Sequence, residues 1–442
     1  MTQGSEFIKR RQRLMRRMGR DSVLLLGAAP ERLRSGSTHY AYRQDSDFYY
    51  LTGFTEPEAI LLLAPGHDDG DAQLFCRPHD RERERWEGAR LGPDGAVAQL
   101  GFDSAWPIES LDQRLPGLLA GRHRLYYPLN RDAERDRILF LALEGLRRQV
   151  RAGVHAPEAI VSPQPLLHEL RLRKSRAEIA LMRRAARISA RAHQRAMRAC
   201  RPGATEFQLD AELLYEFVHG GCAAPAYPSI VAGGANACVL HYHSNHCELQ
   251  GGDLVLIDAG GEYAHYAADI TRTFPVNGRF SGEQRAAYEV VLAAQQAAIA
   301  AVRPGNDWNA PHQAALAVLC AGLVDLGILH GDPAELLAGE AYKPFYMHRT
   351  GHWLGLDVHD VGEYRIDDQW RPLEAGMTLT VEPALYFLPD TEGLDPRWWH
   401  IGIRIEDDIV VTRDGCEVLS REAPKEIGEI EAIMRERPRG RR

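Results

Sequence analysis

Leu254-Val255-Leu256-Ile257-Asp258-Ala259-Gly260 and Ala268-Asp269-Ile270-Thr271-Arg272-Thr273-Phe274 read as two buried strands, each carrying one carboxylate. Apolar runs of this length bounded by turn residues are a strand pattern. Gly260-Gly261 and the residues after them are free to turn the chain back as a hairpin. Two later stretches repeat the design, Leu379-Thr380-Val381-Glu382-Pro383 and Ile401-Gly402-Ile403-Arg404-Ile405-Glu406-Asp407-Asp408. His348-Arg349-Thr350-Gly351-His352-Trp353-Leu354-Gly355 adds an imidazole at His352. Burying an ionised carboxylate is costly unless it is paired or coordinates a metal. Asp258, Asp269, Glu382 and Glu406 on apolar strands therefore demand something strongly positive. Two divalent cations about 3.5–4 Å apart, sharing bridging carboxylates, meet that demand and activate a water. Carboxylate oxygens with an imidazole suit a hard-to-borderline divalent ion. The competing reading is a set of salt bridges at strand ends, which four separate apolar flanks argue against.

Outward from these strands, 442 residues exceed one ordinary core and predict two or three domains. Hydrophobic content of 45% and charged content of 26% describe a soluble globular protein. A net charge of −8 argues against a nucleic-acid surface. The basic run from Arg435 to Arg442 reads as a solvated tail. No apolar stretch reaches 18 residues, so no membrane span is expected, and Met1 to Phe7 lack a signal-peptide pattern. The seven cysteines are odd in number and scattered without CxxC, which fits reduced thiols in a cytoplasm. Cys238 and Cys247 flank His241, but no cysteine falls at a ligand position of the pattern above.

Residues 1 to about 160 alternate strand and helix patterns, with Ser22-Val23-Leu24-Leu25-Leu26 and Ala59-Ile60-Leu61-Leu62-Leu63 as strands. Ser162-Pro163-Gln164-Pro165 is the linker candidate. The expected division is residues 1–170 and 171–442. Ser175-Arg176-Ala177-Glu178 is a capping box opening a long helix through about Cys200. Arg201-Pro202-Gly203 and Arg303-Pro304-Gly305 each stand between two helix patterns, and each pair carries a cap, Thr205 with Gln208 and Ser281 with Gln284. That recurrence about a hundred residues apart points to duplication.

The order Asp, Asp eleven residues on, His, Glu, Glu, with these flanks, resembles the metallopeptidases of the pita-bread fold. Within that group the chain is similar to the bacterial aminopeptidase P (Xaa-Pro aminopeptidase) family over nearly its whole length. Tyr42-Arg43-Gln44-Asp45-Ser46-Asp47-Phe48 and Leu51-Thr52-Gly53-Phe54-Thr55-Glu56-Pro57-Glu58-Ala59 resemble its N-terminal domain. His241-Tyr242, Gly355-Leu356-Asp357-Val358-His359-Asp360 and the carboxylate strands resemble its catalytic domain. One short motif is weak, whereas five in order are strong. The resemblance implies an α/β (α+β) chain: an N-terminal mixed α/β domain, then a pseudo-symmetric pita-bread catalytic domain.

The activity it implies is that of a dimetal exopeptidase releasing the first residue of peptides whose second residue is proline, by metal-bridging hydroxide attack. Asp258 would bind one ion, Asp269 and Glu406 would bridge both, and His352 and Glu382 would complete the other. Manganese is the implied metal, and cobalt or zinc fits the same ligands. Glu382 is placed to take a proton from the water. His359 would stabilise the tetrahedral intermediate, and His241 and His348 would line the prolyl side. Arg349-Thr350 departs from the family's residues at those positions. Arg404, two residues from Glu406 on the same strand face, is expected to hold a ligating carboxylate. Tyr227 either positions an aspartate ligand or the substrate amine, or is only a turn tyrosine. Trp86 either packs on its own domain or, by resemblance, reaches a neighbouring subunit's active site. The expected partners are Xaa-Pro peptides and further copies of the chain, as dimer or tetramer. A dipeptide-only prolidase is the alternative. A metal-free creatinase-like hydrolase or binding module is disfavoured by the intact ligand set.

Overall fold

A computed structural model describes residues 3–436, so Met1, Thr2 and positions 437–442 of the basic run lie outside the described residues. The chain divides into two compact units, Met1–Arg171 and Leu172–Arg442.

The first unit is built on a six-stranded mixed sheet in the order Ser104–Pro107, Ala72–Cys76, Ile60–Leu63, Ser22–Gly27, Arg124–Tyr126, Ala159–Val161. Its central strands, Ser22–Gly27 and Ile60–Leu63, are apolar and buried, and they pair antiparallel, Leu25 opposite Leu62. Both strand expectations therefore hold. Helices Leu111–Leu119 and Ala133–Arg147 cover one face through Leu115, Leu118, Leu139 and Leu143. The Tyr42–Ala59 motif has a structural cause. Buried Gln44 accepts from the backbone N–H of Ala29 and Asp45 and donates to the carbonyl of Glu56, clamping three segments. Asp45 then caps helix Ser46–Thr52, which ends on Gly53 at φ 67, a conformation glycine adopts without strain.

The linker expectation is corrected. Ser162 to Pro165 do not form an extended connector, because helix Gln164–Leu172 begins inside the stretch. Proline fixes a helical φ and lacks only an N–H that the first turn leaves unpaired, so it opens helices as readily as it interrupts them.

In the second unit, helix Arg176–Ala199 carries the expected capping box at Ser175 and Glu178 and stops one residue short of Cys200. Helices Glu206–Gly220 and Gly282–Ala301 carry the other two, at Thr205 with Gln208 and Ser281 with Gln284. Ala310–Asp325 follows the second Arg-Pro-Gly. Antiparallel strands follow each helix pair, in the second half after a further short helix, Pro333–Ala338. In the first half Leu254–Asp258 pairs with Ile230–Gly233 and with Thr271–Pro275, placing Asp258 opposite Thr271. The expected hairpin is present, but its connection is a second small hairpin, Gly261–Tyr263 with Tyr266–Ala267, turning at Ala264 and His265 in the left-handed region. In the second half Thr378–Val381 pairs with Asp407–Val411, and Ala384–Phe387 with Ile401–Arg404. Residues 388–400 connect this last pair over the surface and include the short turn Pro396–Trp398. One continuous core, including Leu256, Phe274, Leu319, Val381 and Ile403, joins helices and strands of both halves. No helix of the described residues is long and apolar enough to cross a membrane.

Candidate metal centre and active site

The strand register brings the acids together. Val381 lies opposite Asp407 and Ala384 opposite Arg404, one unbroken antiparallel register. Glu382 therefore faces Glu406 directly. Pro383 between them has no N–H to give, but its carbonyl still accepts from Ile405 at 3.3 Å. From the other half, the backbone N–H of Glu406 donates to the Thr271 carbonyl at 3.1 Å, and the Thr271 hydroxyl donates to Glu406 Oε2 at 2.6 Å. Arg272 locks this seam. Its fully buried guanidinium donates to the carbonyls of Thr271 and Glu406 and to Asp407 Oδ1 at 2.7 Å.

Asp269, in the stretch just before strand Thr271–Pro275, uses its backbone N–H to reach Asp408 Oδ1 at 3.1 Å. Gly260 is required beside it, since a Cβ there would lie 1.7 Å from the Ala268 carbonyl oxygen. His352 is fixed by Thr380, whose backbone N–H donates to the His352 carbonyl and whose hydroxyl oxygen accepts from the His352 N–H, and neighbouring Gly351 has no room for a Cβ, 2.1 Å from the Thr380 carbonyl oxygen. The His352 Nδ1–H donates to the Trp353 carbonyl at 2.9 Å, which turns Nε2 toward Asp269 Oδ2 at 3.3 Å and Glu382 Oε1 at 3.7 Å.

Four carboxylates, Asp269 and Glu406 buried and Asp258 and Glu382 partly so, thus surround one imidazole and one guanidinium, too little positive charge. Ligand-type atoms of Asp269, His352 and Glu406 lie within 4.8 Å of one another. Burial pushes Glu382 up to about 7 against the pull of His352 and Arg404, with Asp269 and Asp258 adding to the rise. Burial also raises Asp258, and burial with the charge of Asp269 raises Glu406 well above the usual range. Asp269 is held low despite burial, through His352, whose own value rises to about 9 by the same contact. Oxygen donors with one imidazole, short of counter-charge, fit divalent cations. The cluster opens into a cavity of about 430 Å³ that His241, His348, His359, Arg349 and Tyr227 also line.

Residues 180–413 match the Metallopeptidase family M24, and residues 7–126 match the Aminopeptidase P, N-terminal domain. The chain belongs to metallopeptidase family M24. It is 48% identical to the Xaa-Pro aminopeptidase of Escherichia coli over 97% of each chain. Among solved structures, Pseudomonas aeruginosa aminopeptidase PepP superposes with a TM-score of 0.96 at 54% identity, covering 98% of each chain. A zinc-substituted Escherichia coli aminopeptidase P in complex with product superposes at 0.94 with 48% identity, again over 98% of each. The mixed α/β N-terminal unit and pita-bread catalytic unit are those of the M24 aminopeptidase P structures.

The remaining expected residues of this M24 site take distinct positions. Arg404 donates to Asp258 Oδ2 at 2.5 Å, to Tyr386 Oη at 2.8 Å and to Thr271 Oγ1 at 3.1 Å. The carboxylate it touches is thus Asp258, and it reaches Glu406 only through Thr271. The Tyr227 hydroxyl lies 2.6 Å from Asp258 Oδ1 and 2.5 Å from Asp269 Oδ1, with one proton for two carboxylates. His348 Nδ1 donates to the Arg349 carbonyl, so Nε2 accepts from Tyr386 Oη at 3.1 Å. Burial and Arg404 lower His348 to about 3, so it is neutral. The ring of His359 packs edge-on to His352 at 4.4 Å between centroids, and burial lowers its value. His241 stacks on His243, centroids 6.3 Å apart. All seven cysteines are free thiols. Trp86, on helix Arg81–Glu87 of the first unit, is 90% exposed, which overturns packing on its own domain.

Thr271, Tyr386 and Asp408 touch this network and escaped the sequence reading. The signal was present: each lies at an even strand spacing from a candidate, as Asp269 to Thr271, Glu382 to Tyr386 and Glu406 to Asp408.

Proposed function

We infer that the chain is a dimetal Xaa-Pro aminopeptidase, residues 1–170 forming its aminopeptidase P N-terminal domain and residues 171–442 its catalytic domain. The observation that carries the reading is the facing pair Glu382 and Glu406, joined by Asp258, Asp269 and His352 in one cavity wall. Those five residues are the proposed ligands of two divalent ions, manganese by preference, with cobalt or zinc suited to the same donors. When bound, the ions supply Lewis acidity and a water that is nucleophilic near neutral pH.

The chain's own groups do the rest. Glu382 takes the attacking water's proton at a carboxylate oxygen and hands it to the leaving proline nitrogen. Arg404 and Tyr227 keep Asp258 and Asp269 oriented through the bonds described above. His359 offers an N–H donor where negative charge develops on the carbonyl oxygen. His241 and His348 form the slot for the prolyl ring. A free substrate amine meets the Asp258 end of the cavity. Trp86, exposed in the free chain, is proposed to reach the active site of a second copy in a dimer or tetramer. A cytoplasmic location is proposed from the seven scattered free cysteines. The relatives named Xaa-Pro aminopeptidase favour this reading over a dipeptide-only prolidase.

The test is an assay of manganese-loaded enzyme on Ala-Pro, Ala-Pro-Ala and N-acetyl-Ala-Pro-Ala. Cleavage of the tripeptide at least as fast as the dipeptide, and none of the acetylated peptide, is expected. Cleavage of the dipeptide only would establish the prolidase.

A further inference from the structure

We propose that Arg349 binds a carboxylate on the part of the substrate beyond proline, making the enzyme selective for peptides that carry one there. The proposal deepens, and rests on, the Xaa-Pro aminopeptidase reading. Arg349 lines the same cavity as the carboxylate cluster, yet its side chain is exposed at the mouth. Its guanidinium is held by neutral groups. One nitrogen donates to Asn309 Oδ1 at 2.6 Å, and the group lies 4.9 Å from the centre of the Trp370 ring. Arg365 lies over the same ring at 4.1 Å. Neither guanidinium has a carboxylate partner among the described residues, and the charged group that acts on Arg349 is another cation, Arg365.

Two cations sharing one indole with no counter-charge form a site that favours an anion. A guanidinium has five N–H donors in a planar fork, so one bond to Asn309 leaves an edge free for a carboxylate. The fork is already oriented. Asn309 precedes helix Ala310–Asp325, and Trp370 stands on the hairpin of Arg365–Ile366 with Gln369–Trp370, directly opposite Arg365.

Position selects which part of the peptide supplies the anion. His348, the preceding residue, faces inward, with Nδ1 3.8 Å from Glu382 Oε2. Arg349 points the other way, toward Asn309 and Trp370. The substrate amine belongs at the carboxylate end and proline beside His348, so the residue after proline is the one that meets Arg349. It can offer either an α-carboxylate, when the peptide ends there, or an acidic side chain.

The test compares kcat/KM on Ala-Pro-Ala against its C-terminal amide, and on Ala-Pro-Asp-amide against Ala-Pro-Asn-amide. Wild-type enzyme is expected to favour the charged member of at least one pair about tenfold, the size of a partly exposed charge-assisted bond. The pair that responds tells which carboxylate is read. That preference should weaken with added salt, fall to near one in Arg349→Ala, and be partly kept in Arg349→Lys. Equal rates within both wild-type pairs would overturn the proposal without any variant. An undiminished ratio in Arg349→Ala, with full metal content, would also overturn it. Failure of wild-type enzyme to cleave any of the four peptides would instead remove the Xaa-Pro reading, and this inference with it.

Discussion

Glu382 and Glu406 stand directly across from each other in one antiparallel register, set by Val381 opposite Asp407 and Ala384 opposite Arg404. Like charges in that position repel and weaken a sheet. The fold tolerates them because Arg272 pins the Glu406 backbone and Thr271 caps its side chain. Cations bound there, as proposed, would convert a liability into a site.

Removing a charge from the cluster should empty it. Asp269→Asn is expected to lower activity by several orders of magnitude and to reduce bound metal below two ions per chain, with the circular-dichroism spectrum unchanged. Elemental analysis beside turnover checks it. Wild-type-like activity with one ion or none would refute the dimetal arrangement.

His359 should act on rate and not on metal. His359→Ala is expected to cut kcat by roughly 10²–10³, as for loss of one oxyanion donor, with both ions retained. A fall in metal content would make His359 a ligand.

Arg272 should matter for folding. Its guanidinium is completely buried and bonds to Asp407 and four backbone carbonyls. Arg272→Met leaves Asp407 with Lys425 as its remaining cation. A loss of about 3–5 kcal/mol is expected, as for breaking a buried pair, measured by urea denaturation of metal-free protein. A loss under 1 kcal/mol would mean the seam is held elsewhere.

A pH effect is expected in the first unit. Burial would raise Asp47, but the hydrogen bond from His168 and the charge of Arg171, 2.7 Å away, hold it down to about 2. A carboxylate lowered on folding stabilises fully above its ordinary value near 3.8, and the gain is lost as pH falls toward 2. The contribution is about 2 kcal/mol. The stability gap between wild type and Asp47→Asn should therefore be constant from pH 7 to 5 and narrow by about that amount toward pH 2. A gap independent of pH would show that folding does not lower the Asp47 carboxyl below its ordinary value.

The carboxylate cluster was legible because each acid is a polar residue in or beside an otherwise apolar strand, a placement with few structural excuses. Thr271 and Tyr386 were missed despite their even spacing from the acids, since a threonine or tyrosine on a strand is unremarkable until the opposite half arrives to meet it. The Pro163 and Pro165 stretch misled because proline marks both extended connectors and first helical turns. The small hairpin at Gly261–Ala267 was too short to show a period. Arg404 was assigned a carboxylate correctly, but which one depended on a contact between strands more than 140 residues apart.

The connection 388–400 joins strands whose pairing ends at Phe387 opposite Ile401. Its length can change without altering that pairing, because extra residues there loop out over the surface. A single residue added between Val381 and Phe387, or between Ile401 and Asp407, would instead turn one glutamate away from the other. The sequence distance between Glu382 and Glu406 is therefore free to drift across descendants of this chain, provided every insertion falls in the connection. A tag or sensor peptide grafted at that connection would likewise leave the two glutamates facing each other.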